Sequence, residues 1–176
     1  GGPESRTQVP KPSTIRLVQA GARGRNHDAI DAALALTLNW DAFEGGGTLG
    51  NGAWSDLVFV LVSDCHGNVA YTGGAPPQDA DYVDYTKTSV TVPAGRLQPG
   101  QPYVAFISMV NLVDYNQSHG IDQFAANSFA TELPFRTIGQ AAAGSCASDI
   151  KPAQYLWTRK TRGETMESWP TLVDYY

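Results

Sequence analysis

Leu57-Val58-Phe59-Val60-Leu61-Val62 is the longest unbroken apolar run in the chain, and it is only six residues long. That is far short of the roughly 18 apolar residues that cross a membrane as a helix. It matches one β-strand covered on both faces or lying at the centre of a sheet. The rest of the chain keeps the same scale. Short alternating stretches at 15–18, 33–40, 55–63, 69–72, 88–92, 103–113 and 127–138 are separated by Gly, Pro, Asn and Asp clusters. Such spacing predicts an all-β sandwich of about seven strands. A helical turn is expected only near 28–32, where Asp28 is a candidate N-cap.

Composition agrees. The 18 Gly and 11 Pro suit a loop-rich β protein better than a helical one. A chain of 176 residues can bury one sizeable core without metals or staples. The expected organisation is an extended, Pro-rich lead-in over 1–14, a sandwich domain over 15–138, and a linker and tail over 139–176. That tail carries Tyr155, Leu156, Trp157, Met166, Trp169, Leu172, Val173, Tyr175 and Tyr176. It is too apolar to stay exposed, so it is expected to pack on the sandwich.

Charge is unevenly spread. Residues 26–132 hold Lys87 and Arg96 against twelve acids, within a chain of net charge −5. An acidic middle argues against a nucleic-acid face, which needs clustered Lys and Arg. The one basic cluster, Arg159-Lys160-Thr161-Arg162, reads as a solvated segment. Neither nucleic-acid binding nor membrane insertion is expected.

Catalytic and metal motifs are sparse. His27, His66 and His119 fall in predicted loops, and Cys65-His66 has no second pair at zinc-like spacing. Asp79, Asp81 and Asp84 form an acidic loop that could hold calcium but lacks the Gly and terminal Glu of an EF-hand; a solvated loop is the plainer reading. There is no Gly-x-Ser-x-Gly elbow and no phosphate-cradling loop. No catalytic residue, metal or other cofactor is expected.

Two stretches resemble a fibronectin type III module. Leu36-Thr37-Leu38-Asn39-Trp40 is similar to that family's second strand. Val90-Thr91-Val92, the corner Leu97-Gln98-Pro99-Gly100-Gln101-Pro102-Tyr103 and the strand after it are similar to its E strand, tyrosine corner and F strand. The segment from Phe129 to Thr137 resembles its final G strand. The resemblance covers roughly 33–138 and implies an immunoglobulin-like sandwich with an adhesive, spacer or receptor role and no catalytic residues. It also implies that the Tyr103 hydroxyl caps a nearby backbone group.

Within that sandwich, Cys65 follows strand C and Cys146 follows strand G, both towards the same end, so a Cys65–Cys146 disulfide is expected. It would place the chain in an oxidising compartment: secreted, periplasmic or at the cell surface. Residues 114–126 read as a long polar loop joining strands F and G, near the loop that contains Trp54. Long loops on rigid scaffolds are where binding groups concentrate. Trp54, Tyr115, Asn116 and His119 are therefore the candidate ligand-binding residues, facing a protein or glycan surface. The expected function is a non-catalytic binding or structural module. The alternatives are a carbohydrate-binding module attached to a glycan-degrading enzyme and, less favoured, a hydrolase with a dispersed site.

Overall fold

The computed structural model describes residues 14–20, 27, 29–48, 55–74, 80–118, 121–143 and 145, with 114–118 and 121–124 described as backbone only. Seven strands run through them: β1 (Arg16–Val18), β2 (Leu36–Asn39), β3 (Leu57–Asp64), β4 (Val69–Gly73), β5 (Ser89–Val92), β6 (Pro102–Ser118) and β7 (Ile121–Arg136). They form two antiparallel sheets, β1-β2-β5 and β4-β3-β6-β7. The protein is all-β and sandwich-like, as the spacing of short strands predicts. Among the described residues no helix is long and apolar enough to cross a membrane.

Period-two alternation builds the core. Leu36 and Leu38 of β2, Val92 of β5, and Val58, Val60 and Val62 of β3 are all fully buried. Ala105, Ile107 and Met109 of β6 join them in one cluster between the sheets. Trp40, just past β2, is 1% exposed, and its indole N–H donates to the Lys87 carbonyl at 2.9 Å. A buried Trp needs such an acceptor, because an unpaired indole N–H would carry its full desolvation cost.

The corner before β6 has the hydroxyl cap that the resemblance implies. The backbone N–H of Gln98 donates to the Tyr103 hydroxyl at 2.7 Å, while the Tyr103 ring stacks on Phe135 with centroids 5.6 Å apart. Gly100 turns the chain at φ 70°, and a Cβ there would stand 2.6 Å from the Ala141 nitrogen. Thr137 closes the corner, its hydroxyl donating to the Gln98 carbonyl at 2.6 Å and accepting from the Gln101 N–H at 2.9 Å.

Two expectations are corrected. The helical turn near 28–32 is instead a parallel bridge from Ile30 to Thr137, followed by a turn in which the Asp31 carboxylate accepts the Ala33 N–H at 2.9 Å. The Gln19 side chain holds this segment, accepting the Asp31 N–H at 2.7 Å and donating to its carbonyl at 2.8 Å. These tertiary bonds outweigh the local helical composition. The final strand, expected over 127–138, runs through Pro134 without a break. β7 lies at the edge of its sheet, where a residue without an N–H is tolerated.

The second correction matters most for function. Residues 114–126 are not a loop: β6 and β7 stay in register out to Ser118↔Ile121, leaving only residues 119–120 between them. A ribbon beyond the core needs no apolar face, so its sequence lacks the alternation that marks the core strands.

Candidate functional site

The pairing of β3 with β6 ends at Leu57↔Val110, whereas β6 continues to Ser118. From Asn111 outward β6 therefore pairs with β7 alone, as a two-stranded arm. At about 3.3 Å per residue the arm reaches roughly 25 Å past the last rung of β3. One register shift, between Leu112 and Asp114, marks its base. Bulges of this kind increase local twist and re-aim a ribbon.

Asp56 roots the arm. It is fully buried and immediately precedes β3. One carboxylate oxygen accepts the Leu112 backbone N–H at 2.8 Å; the other accepts the Asn111 side-chain amide at 2.9 Å and the Gly47 N–H at 2.7 Å. Its backbone is equally engaged. The Asp56 N–H donates to the Gly47 carbonyl at 2.8 Å, and the Tyr85 N–H donates to the Asp56 carbonyl at 3.1 Å. The Tyr82 hydroxyl donates to the Ser55 carbonyl at 3.1 Å and makes a short hydrogen bond with the Ser55 hydroxyl. One residue thus ties the 44–48 loop, the 81–85 loop and the base of the arm to the start of β3.

The 81–85 loop is held close along β3. The Val58 N–H donates to the Val83 carbonyl and the Gly74 N–H to the Asp81 carbonyl, both at 2.8 Å. A Cβ at Gly74, whose φ is +86°, would stand 2.2 Å from the Val58 carbonyl oxygen. Only glycine lets the backbones approach this closely.

Of the expected binding residues, Tyr115 and Asn116 lie on the arm, in register with Phe124 and Gln123. Trp54 and His119 lie outside the described residues. Cys65 occupies the turn after β3, and Cys146 lies outside the described residues. In the acidic loop, Asp79 is outside the described residues, and the Asp84 carboxylate accepts the Thr86 N–H at 2.7 Å and its hydroxyl. Among the described residues no three His, Cys, Asp or Glu side chains converge as metal ligands.

No family model, curated protein or solved structure matches this chain.

Sequence reasoning did not find Asp56 and Asn111. The available signal was a carboxylate directly ahead of an apolar strand, a position that burial makes costly unless every lone pair is used. Asn111 is 2% exposed and gives its amide N–H to Asp56. Chemically, the arm offers backbone donors and acceptors. Among the described residues, one edge of β6 beyond the bulge faces no strand, and the edge of β7 away from β6 is bonded only at its end, where Arg136 pairs with His27 and Ile30.

Proposed function

We propose that the chain is a fibronectin type III-like module of a secreted or cell-envelope protein, non-catalytic, which engages a protein or glycan partner through the β6–β7 arm. The observation that carries this reading is the continuous pairing of β6 and β7 far beyond the sheet. A paired ribbon with open edges is pre-ordered, so a partner strand can add to it by main-chain hydrogen bonds at low entropic cost. The type III assignment draws support from the sheet orders and the Tyr103 corner: β2, β5, β6 and β7 occupy the places that the resemblance gives to the family's second, E, F and G strands.

The Cys65–Cys146 disulfide belongs to the same proposal. It is supported by there being no free cysteine among the described residues, in a chain with two cysteines in all. Such a bond fits an oxidising compartment.

The test compares the native chain with a variant in which residues 113–125 are replaced by Asn-Gly. That change joins Leu112 to Ala126 through a favoured hairpin turn. Both are screened on a glycan array and on a library of extracellular protein domains. Partners that bind the native chain and are lost by the shortened variant, at unchanged melting temperature, support the proposal. A partner retained at full affinity by the shortened variant overturns the arm as the docking element. Hits confined to glycans would select the carbohydrate-binding reading.

A further inference from the structure

The two sheets differ on the faces they turn away from the core. On the three-stranded sheet that face is mostly polar: Arg16, Thr37, Asn39, Ser89 and Thr91 lie on it with the single aliphatic Val18, and the Thr37 and Thr91 hydroxyls meet at 3.3 Å. This is the pattern of a face in contact with water. On the four-stranded sheet the same face is largely apolar along β3 and β6, interrupted by Ser63 and by Ser108 opposite Phe59. Leu57, Phe59 and Leu61 alternate with buried Val58, Val60 and Val62. The register sets Phe106 opposite Leu61, Val110 opposite Leu57 and Val104 opposite Ser63. The Phe59 and Phe106 rings meet edge to face at 6.3 Å and 71°. All seven strands belong to the two sheets, so no described strand forms a third layer over this face.

We propose that residues 146–176 of this chain lie over this face. Residues 138–141 lie against the Pro99–Gly100 corner that begins β6: the Gly100 N–H donates to the Ile138 carbonyl at 3.1 Å. The segment therefore starts at the end of the face that holds Val104. Extended, it is several times longer than the eight-residue β3. It supplies Tyr155, Leu156, Trp157, Trp169, Leu172 and Val173 to meet the apolar patch. Its cluster Arg159-Lys160-Thr161-Arg162 complements Glu132, which lies on this face opposite Phe106. The N-terminal segment fits less well, because residues 1–13 include three prolines and only Val9 among the large aliphatic and aromatic types. The Cys65–Cys146 pairing would hold the start of the covering segment beside the end of β3. The covering itself does not depend on it.

The test uses the full chain in three forms: native, Trp157→Ala with Trp169→Ala, and Leu61→Lys. Trypsin cleavage after Arg159, Lys160 and Arg162 reads the position of the segment, and hydroxyl-radical labelling of Phe59 reads the face. The expected result is slow cleavage and weak labelling in the native monomer, with both rising roughly tenfold in either variant, because cleavage of a transiently open segment follows its open population. Native cleavage as fast as in urea, or Phe59 labelling that the tail variant leaves unchanged, overturns the proposal. So does protection that appears only as the chain dimerises, since a second copy would then be the occupant.

Discussion

Asp56 accepts the backbone N–H of Leu112 at 2.8 Å, two residues past the last rung that joins β3 to β6. The carboxylate does for the arm what a backbone carbonyl does for the sheet. Asp56→Ala should leave the Leu112 N–H, the Gly47 N–H and the Asn111 amide without their acceptor. Unsatisfied buried donors cost about 1–3 kcal/mol each before water enters, so a loss of about 3 kcal/mol is expected. Urea unfolding checks it; a midpoint equal to that of the native chain would show that Asp56 does not root the arm.

The Tyr103 corner gives a smaller and cleaner effect. Tyr103→Phe keeps the stacked ring on Phe135 and removes only the acceptor of the Gln98 N–H. A loss of about 1–2 kcal/mol is expected, read as a lower melting temperature. Tyr103→Leu, which also gives up the ring, should cost more.

Glycine positions separate backbone approach from backbone conformation. Gly67 and Gly74 both have positive φ, but a Cβ at Gly67 meets nothing within 4 Å, whereas one at Gly74 meets the Val58 carbonyl. Gly67→Ala should cost about 1–2 kcal/mol, the price of a left-handed residue with a side chain. Gly74→Ala should cost clearly more, because β3 and the loop must also separate. Equal losses in thermal unfolding would contradict the close approach.

Alkaline pH should weaken the fold. Burial raises the hydroxyl pKa of Tyr71, Tyr82 and Tyr103 above the ordinary tyrosine value near 10; the Gln98 N–H opposes this at Tyr103, as the Ser55 hydroxyl does at Tyr82, without reversing it. A folded-state pKa above the unfolded one means the contribution is complete below about pH 10 and is lost as pH rises through the folded values. Tyrosinate absorbance followed with near-ultraviolet circular dichroism should show some of the eight tyrosines ionising late and together with loss of the fold. If all ionise together near the ordinary value with the fold intact, the burial argument fails.

Much of the sandwich is legible in the sequence because core strands must alternate. Leu36 and Leu38, Val90 and Val92, and the run from Leu57 to Val62 announce their strands, and the Pro99-Gly100 corner announces Tyr103. The arm is not legible for the same physical reason. From Asn111 its pairing runs past β3, and the stretch Asp114-Tyr115-Asn116-Gln117-Ser118 shows no period-two alternation of apolar residues. Asp56 is invisible because its partners, Gly47 and Leu112, are brought to it only by the fold. The doubly apolar β3 was readable as a strand covered on both faces; the sheet packing accounts for one of them.

The central claim is that β6 and β7 form a pre-ordered arm rooted at Asp56, and residue-resolved amide hydrogen exchange tests it most directly. The prediction is measurable protection of cross-strand amides between Asn111 and Asn127 in the native chain. Asp56→Ala should lose that protection while leaving Val58, Val60 and Val62 protected. Exchange at unfolded-chain rates across 113–126 in the native protein would contradict the account.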